Sequence, residues 1–406
     1  MATTTDTRTG HLPGTPAYRR LNAAMVLVGL AAFGILYATQ PILPQLGDEY
    51  GVDAPRASLT VSAATGALAL LVIPATAIGL RIGRVRTIRW GLLAAVALTM
   101  VAAAAPTFGL LVAARGLAGA ALAGVVAVAM GHVAAEVHPS GLAGAMGLYV
   151  AGNTLGGVSG RLVTSAAADL GGWRAALAVL GVVAAVVTAL VWRFTEDTGP
   201  APDAAPEVGA DGGAAVRPGV GALLREPSVV AVLLLPFVLM GGFVATYNYL
   251  SFRLAAAPFD LPAAVVGLVF LAYLAGTVSS AVAGRAAQRY GRPRVLALGV
   301  VVMGAGLAMT LPDRLVLVVA GLIVFTAGFF AAHAVASGWA PVLGGAAPAR
   351  ASALYVAMYY AGSSLFGALV GLAWHAGGWD ATAASVGVLV ALALLLVGVA
   401  TRTRRG

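Results

Sequence analysis

Residues 148–173 read LYVAGNTLGGVSGRLVTSAAADLGGW, an apolar stretch that also contains several glycines, one asparagine and one arginine. Residues four apart lie on one face of a helix, so Gly152, Gly156 and Gly160 form a stripe without side chains. Small residues of this kind let two helices pack closely in lipid. We therefore predict a membrane-spanning helix that packs against a neighbour through this glycine stripe.

Two polar residues lie on a neighbouring face of the same predicted helix. Asn153 is near the middle of the span, where we interpret it as a substrate contact. Arg161 follows Ser140 by 21 residues, which is about 31 Å along a helix. An arginine costs roughly 2.5–3.5 kcal/mol at the centre of a span, so it usually faces a cavity or a partner. Three roles stay open for Arg161: an anchor that extends to the membrane surface, a structural ion pair, or a substrate and gating residue.

The composition is that of an integral membrane protein. Of 406 residues, 60% are hydrophobic and 10% are charged, and the mean hydropathy is +0.94, whereas soluble domains are about half apolar and a quarter charged. Cysteine is absent, which excludes disulfides and thiolate metal sites, and we predict no metal site and no cofactor. The sequence also lacks the motifs of zinc peptidases, serine hydrolases and phosphate-binding loops. We therefore do not expect an enzyme.

Apolar runs long enough to cross a bilayer, roughly 20 residues each, occur twelve times. We predict helices because barrel strands would alternate apolar and polar residues. The predicted fold class is all-α integral membrane, with two six-helix bundles. The predicted spans are 21–43, 57–80, 88–105, 107–134, 140–167, 174–193, 228–251, 262–284, 294–311, 315–338, 351–374 and 380–400.

A segment rich in proline, glycine and alanine separates the sixth span from the seventh. This composition is typical of a flexible linker between two structural units. The predicted organisation is a cytoplasmic tail at 1–20, a bundle at 21–193, a cytoplasmic linker at 194–227, a second bundle at 228–400 and a cytoplasmic tail at 401–406.

All 24 basic residues are arginines, and their positions indicate a topology. With the N-terminus in the cytoplasm, eighteen lie on the cytoplasmic side, four lie outside and two lie within spans. This is the positive-inside bias of membrane proteins. The positive charge therefore indicates orientation rather than nucleic-acid binding. We predict a multi-pass protein of a bacterial cytoplasmic (inner) membrane with both termini in the cytoplasm.

The two halves of the chain resemble each other. Short sequences recur at a spacing of 206–208 residues: YVA at 149 and 355, GGW at 171 and 377, AT at 38 and 245, and a basic loop at 81 and 289. Each recurrence falls at the corresponding span of its half. A duplication of six helices is therefore predicted.

The basic loop resembles the pattern G-x-x-x-D-R-x-G-R-R, which marks the major facilitator superfamily. In the family this loop takes part in a gate on the cytoplasmic side. Here Leu80 and Gln288 stand where the acidic residue is expected. The resemblance implies a gating role for Arg81, Gly83, Arg84, Arg289, Gly291 and Arg292.

Other stretches strengthen the resemblance. Arg115 and Gly119 fit the R-x-x-x-G motif of the family, and 148–173 resembles its glycine-rich antiporter motif, with Gly157 in the place of a proline. Together with LYATQPILPQL and YYAGSSLFG, these motifs are most similar to the YnfM-like efflux permeases, near the drug:proton antiporter branch.

Polar residues inside the spans are the candidates for a substrate cavity. Arg115 lies about 14 Å below the outer end of its span, where we weigh coupling or substrate charge against structural pairing. The tyrosines can instead anchor helices at the membrane interface, and His333 can instead be a packing residue with its hydrogen bonds satisfied. The candidates are Tyr37, Gln40, Arg115, Asn153, Arg161, Tyr247, Asn248, His333, Tyr359 and Ser363.

The resemblance implies a secondary active transporter that moves a small organic solute by alternating access between two bundles. Efflux driven by the proton gradient is the first expectation. However, no Asp or Glu lies in the interior of a span, so no carboxylate for proton coupling is visible. Uptake or facilitated passage of a small neutral or anionic solute stays open, as does a non-transporting membrane sensor or scaffold. The expected partners are a small-molecule substrate, protons and the lipid bilayer, with the protein as a monomer.

Overall fold

The computed structural model describes residues 10–197 and 220–402, and its regular elements there are helices, apart from one backbone bridge between His11 and Val137. The prediction of an all-α fold is thus confirmed. Two short 3₁₀ turns, Gln40–Ile42 and Leu268–Ala272, interrupt the helices. The helices are α1 Pro16–Leu36, α2 Leu43–Tyr50, α3 Ala54–Ile82, α4 Arg84–Ala103, α5 Phe108–Glu136, α6 Pro139–Phe194, α7 Val220–Leu223, α8 Pro227–Ala255, α9 Ala263–Gly267, α10 Tyr273–Tyr290, α11 Arg292–Met309, α12 Leu315–Leu343 and α13 Pro348–Arg402.

Within the described residues, ten helical segments are long and apolar enough to cross a membrane. Two of them, α6 with 56 residues and α13 with 55, each exceed twice the length that a bilayer requires. Each contains a glycine pair that departs from helical geometry, at Gly171–Gly172 and Gly377–Gly378. The structure thus has ten long helices where we expected twelve, and twelve crossings stay a prediction that these two kinks favour.

The two glycine kinks share one backbone conformation. Gly172 has a φ of 72° and Gly378 a φ of 58°, values that a side chain disfavours and glycine adopts freely. Gly83 and Gly291, in the two basic loops, likewise have φ values of 103° and 86°. The recurring GGW and RxGR sequences therefore mark turns that only glycine makes without strain.

Close helix packing also recurs in the two halves. A Cβ atom on Gly152 would lie 2.6 Å from the carbonyl oxygen of Val26, so α6 touches the backbone of α1 there. A Cβ atom on Gly362 would lie 1.9 Å from the carbonyl oxygen of Phe237, so α13 meets α8 in the same way. Backbones approach this closely only where one of them carries glycine.

We call the end of the molecule with the loops at Gly83 and Gly291 the basic end, and the end with α2 and α9 the far end. The two halves of the chain meet through contacts of α3 with α13, α6 with α9, and α2 with α8. Asp169 at the far end accepts hydrogen bonds from the backbone N–H groups of Ala263 (3.0 Å) and Ala264 (2.9 Å). The halves are therefore joined at the far end.

The predicted boundaries fall partly outside the described residues. The linker 194–227 is described only at its two ends, and the tails 1–20 and 401–406 only in part. The division into bundles at 21–193 and 228–400 stays a prediction.

Candidate functional site

A buried arginine lies where the two halves meet. Arg161 on α6 is 2% exposed. Its Nε donates to Gln40 Oε1 (2.7 Å), its Nη1 to the Gly157 carbonyl (2.6 Å) and its Nη2 to the Tyr273 hydroxyl (3.3 Å). Gly157, at the position of the family's proline, thus supplies an accepting carbonyl one turn before the arginine. All three acceptors are uncharged.

Aromatic rings enclose the same guanidinium group. The Cζ atom of Arg161 lies 4.6 Å from the ring centroid of Tyr37, 4.8 Å from that of Phe270 and 5.0 Å from that of Tyr273. Such contacts attract a cation, and more strongly when water is excluded. Among the described residues no carboxylate forms an ion pair with Arg161. We call Arg161, Tyr37, Gln40, Phe270 and Tyr273 the Arg161 cluster.

Gln40 connects this cluster to the second half. Its Nε2 donates to Asn248 Oδ1 (2.8 Å), and both residues are fully buried. They are 208 residues apart, which is the repeat spacing, so nearly equivalent positions of the two halves meet each other. Asn248 also approaches the carbonyl of Gly367 at 3.4 Å. Gln40 is thus bonded to Arg161 on one side and to the other half of the molecule on the other.

Arg115 is buried as well, but its partners are backbone atoms. Its guanidinium donates to the carbonyls of Ile35 (2.9 Å), Leu36 (2.5 Å) and Thr60 (3.2 Å). Helix α1 ends at Leu36, and the last carbonyls of a helix lack helical partners. Arg115, 1% exposed, therefore caps the interrupted helix α1, and it does not bond to the Arg161 cluster.

Aromatic side chains of the second half extend from the cluster. The Tyr247 ring lies 5.2 Å from both Phe270 and Tyr273, and its hydroxyl is 2.8 Å from Thr326 Oγ1. Tyr247 therefore packs its ring against the Arg161 cluster, and its hydroxyl already has a hydrogen-bond partner.

His333 and Tyr359 lie nearer the basic end than Tyr247. Their ring centroids are 4.9 Å apart, and His333 Nδ1 is 3.0 Å from the Tyr355 hydroxyl. Both are half-buried, so they line accessible space rather than a closed core.

Several buried polar atoms lack a hydrogen-bond partner. Tyr37 Oη and Ser363 Oγ lie near each other, but neither makes a hydrogen bond of normal geometry. Asn153 Oδ1 is also without a partner, and a Cβ atom on Gly29 would lie 2.4 Å from it. Tyr37 and Ser363 therefore offer hydrogen-bonding groups beside the Arg161 cluster, whereas Asn153 lies against α1.

The predicted gating residues lie at the basic end, apart from the Arg161 cluster. Arg81, Arg289 and Arg292 are exposed, and Arg84 is half-buried. Behind the second loop lies a cavity of about 850 Å³. Its lining belongs to the second half alone and includes Gln288, Gly291, Arg292, Arg294 and Trp339.

The structure thus brings together Tyr37, Gln40, Arg161, Tyr247, Asn248 and Ser363 of the predicted cavity residues. Sequence reasoning missed Phe270 and Tyr273, which complete the cluster, and Thr326 and Tyr355, which bond to predicted residues. Phe270 fits the apolar pattern of its span as well as leucine does, so no sequence signal distinguished it. Tyr273 and Tyr355 are tyrosines inside predicted spans, and the criterion that selected Tyr247 and Tyr359 would have found them.

Comparisons with known proteins agree with this architecture. A family model described as Major Facilitator Superfamily matches residues 25–262. The inner membrane transport protein YnfM of Escherichia coli (strain K12) is 38% identical over 97% of this chain and 92% of its own length. The transporter YybF of Bacillus subtilis (strain 168), described as an uncharacterized MFS-type transporter, is 32% identical over 96% of this chain and 95% of its own length.

Solved structures share the fold. A bacterial homolog of the human lysosomal transporter Spinster, in an inward-facing and unoccupied conformation, has a TM-score of 0.82 at 16% identity, over 96% of this chain and 98% of that one. The nucleoside transporter NupG has a TM-score of 0.74 at 12% identity, over 93% of this chain and 99% of that one. At such identities the likeness concerns the fold alone.

Proposed function

Because this chain belongs to the major facilitator superfamily and is a multi-pass membrane transporter, we propose that it moves a small organic solute by alternating access between its two halves. A transporter of this family acts on a small molecule and resides in a lipid bilayer. The observation that carries the proposal is the polar contact between Gln40 and Asn248, buried at the join of the halves. Because this contact is a hydrogen bond and not a covalent bond, it can break and form again as the two halves rock against each other.

The proposed orientation follows from the arginines. The basic end carries both arginine-rich loops, and the positive-inside rule assigns such loops to the cytoplasm. The far end then faces outward, both termini are cytoplasmic, and the contacts of Asp169 with α9 close the solute site to the outside. The similarity to an inner membrane transport protein supports the same location.

Export driven by the proton gradient is the proposed direction, and the protein is proposed to act as a monomer. Both rest on the resemblance to efflux permeases. A second candidate is uptake or facilitated passage of a neutral or anionic solute. It is favoured by one observation: the carboxylates of the described residues lie at helix ends, in loops or beside the two glycine kinks, while Arg115 and Arg161 place positive charge inside.

Two serines on one face of α13 allow a direct test in this cysteine-free chain. Ser352 is half-buried towards the basic end, and Ser363 is fully buried near the Arg161 cluster. We would introduce Ser352→Cys and Ser363→Cys separately and label each with membrane-impermeant thiol reagents from either side, with and without a pH gradient.

Alternating access predicts that Ser352→Cys reacts from the cytoplasmic side, and that Ser363→Cys reacts from the outside only when the far end opens. A pH gradient that changes the two labelling rates in opposite directions supports proton coupling. Unchanged rates remove proton coupling from the proposal. Labelling of Ser363→Cys from the cytoplasmic side alone under every condition contradicts alternating access.

A further inference from the structure

Arg161 is an unbalanced charge in the interior of a membrane protein. It is 2% exposed, and its partners are a carboxamide, a backbone carbonyl, a phenol hydroxyl and three aromatic rings. A buried cation is costly unless it is paired, and ionisable residues at such positions usually mark a functional site. The negative charge that would balance Arg161 is not supplied by the described residues.

The guanidinium retains capacity for a further ligand. It has five N–H groups, and one hydrogen bond is made from each of its three nitrogens. The Nε–H and one N–H of Nη2 point in the same direction, so a carboxylate that takes the place of Gln40 Oε1 binds there through two parallel hydrogen bonds. The Tyr37 ring lies 4.6 Å from Arg161 Cζ, and its hydroxyl, which lies near Ser363 Oγ, makes no hydrogen bond of normal geometry. These two hydroxyls are the further donors nearest to an anion on Arg161.

We propose that Arg161 binds the anionic group of the transported solute, a carboxylate or a group of similar size, and that this anion displaces Gln40 Oε1. The inference rests on the proposed function and names its substrate class. The rings of Tyr37, Phe270 and Tyr273 exclude water from the ion pair, which strengthens it. They also favour a solute with an apolar or aromatic body.

Displacement of Gln40 links binding to movement of the halves. Gln40 Oε1 accepts from Arg161 while Gln40 Nε2 donates to Asn248 of the second half. The Arg161–Tyr273 hydrogen bond also joins the two halves. An anion on Arg161 competes with Gln40 Oε1 and with the Tyr273 hydroxyl for the guanidinium. It therefore weakens the Arg161–Tyr273 contact between the halves and leaves Gln40 held only by Asn248.

The test uses acids and their neutral amides as matched probes: acetate and acetamide, benzoate and benzamide, phenylacetate and phenylacetamide. We would measure thermal unfolding of the purified full-length protein in lipid nanodiscs at constant ionic strength. A ligand that binds the folded state stabilises it by RT ln(1 + L/Kd), where L is the free ligand concentration, and therefore raises Tm. We expect at least one acid to raise Tm by several degrees while its amide does not.

Four variants test whether the rise in Tm depends on Arg161. Arg161→Gln is expected to raise the Kd of the stabilising acid at least tenfold, and Arg161→Lys to retain part of the affinity. Gln40→Glu places a carboxylate of the chain itself beside Arg161, so we expect the same loss of acid binding without loss of folding. Arg56→Gln removes the same charge at an exposed site of α3 and is expected to leave acid binding unchanged.

The proposal is overturned if no acid stabilises the wild type above its amide, or if Arg161→Gln binds the acid as the wild type does. If Arg161→Gln does not fold, Gln40→Glu decides: undiminished acid binding by that variant also overturns the proposal. If an amide stabilises the protein as well as its acid does, and the two introduced cysteines are labelled alternately, the protein transports uncharged solutes. The proposed function then stands, and the anionic substrate class is wrong. Loss of alternating labelling, by contrast, would contradict the proposed function itself.

Discussion

Arg115 and Arg161 are both buried inside the membrane protein, but they bond to different kinds of partner. Arg115 donates to three backbone carbonyls and so stabilises the broken end of α1. Arg161 bonds to side chains that lie between the halves and can rearrange. At the scale of single residues, the first arginine therefore contributes to folding, and the second is available for a ligand.

Arg115→Gln is expected to destabilise the protein. The Leu36 carbonyl loses its Arg115 donor, at a cost of about 1–3 kcal/mol. The Ile35 carbonyl keeps the Ala38 N–H, and the Thr60 carbonyl lies inside α3. A fall in Tm of roughly 5–10 °C should follow, measured by thermal unfolding in nanodiscs. The exposed Arg56→Gln serves as control, and an unchanged Tm for Arg115→Gln would contradict the capping role.

Gly119, which follows Arg115 by one turn, is expected to tolerate no side chain. A Cβ atom there would lie 2.0 Å from the carbonyl oxygen of Ala64, so α5 and α3 would have to separate. Gly119→Ala should destabilise by about 1–3 kcal/mol. Gly116→Ala is the matched control on the same helix, because its Cβ would make an ordinary 3.8 Å contact with Ala63 and it should be neutral or stabilising by about 0.4–1 kcal/mol. Equal effects of the two substitutions on Tm would refute this account.

At the scale of elements, the first long helices of the two halves differ. Helix α1 stops at Leu36 and is followed by the turn Gln40–Ile42, whereas the corresponding α8 continues unbroken to Ala255. The break aims Tyr37 and Gln40 at Arg161. Interrupted helices of this kind form the binding sites of other transporter folds, and here the interruption supplies two residues of the candidate site.

The contact between Asp169 and α9 is the element-scale feature that mutation can test. Its carboxylate receives two backbone N–H groups from the second half, and losing about 1–2 kcal/mol of this interaction shifts an equilibrium roughly 5–30-fold. Asp169→Ala should therefore open the far end more often and raise outside labelling of Ser363→Cys by that factor. Asp380→Ala, at an exposed site of the same end, is the control. A labelling rate that does not change would show that Asp169 does not hold the far end closed.

At the scale of the whole molecule, the close approaches between the halves follow α3 and α13. Gly371 packs on Pro55, Gly367 on Ser62 and Gly66 on Ser364. Ser364 Oγ also donates to the Ser62 carbonyl at 2.8 Å. This interface must separate at the far end if the solute site is to open outward.

A double variant, Gly66→Cys with Ser364→Cys, should cross-link the halves on oxidation. The built Cβ of Gly66 lies 3.4 Å from Ser364 Cβ, close to the separation of about 3.5–4.5 Å in disulfides. After proteolysis within the predicted linker, the two fragments should stay joined on a non-reducing gel and separate on reduction. Gly109→Cys with Ser364→Cys, from an open site at the start of α5, is the negative control. Failure of the first pair to cross-link would mean that the halves do not meet there.

The sequence by itself determined the class of the fold and the family. Hydropathy is a property of each residue and its neighbours along the chain, so apolar runs identified membrane helices. The repeated glycine motifs predicted a duplication, and the structure added that they are turns. Gln40, Arg161 and Asn248 were also identifiable as candidates, because polar side chains are costly inside apolar spans and usually mark a functional site there.

Only the tertiary structure decided which of those polar residues meet. The partners in the Gln40–Asn248 contact are 208 residues apart. Arg115 and Arg161 have the same side chain, and both are surrounded by apolar residues in the sequence. Which one faces backbone carbonyls and which one faces side chains of the other half depends on helix rotation and on the break in α1. Those are properties of packing between distant segments, and no local pattern of residues encodes them.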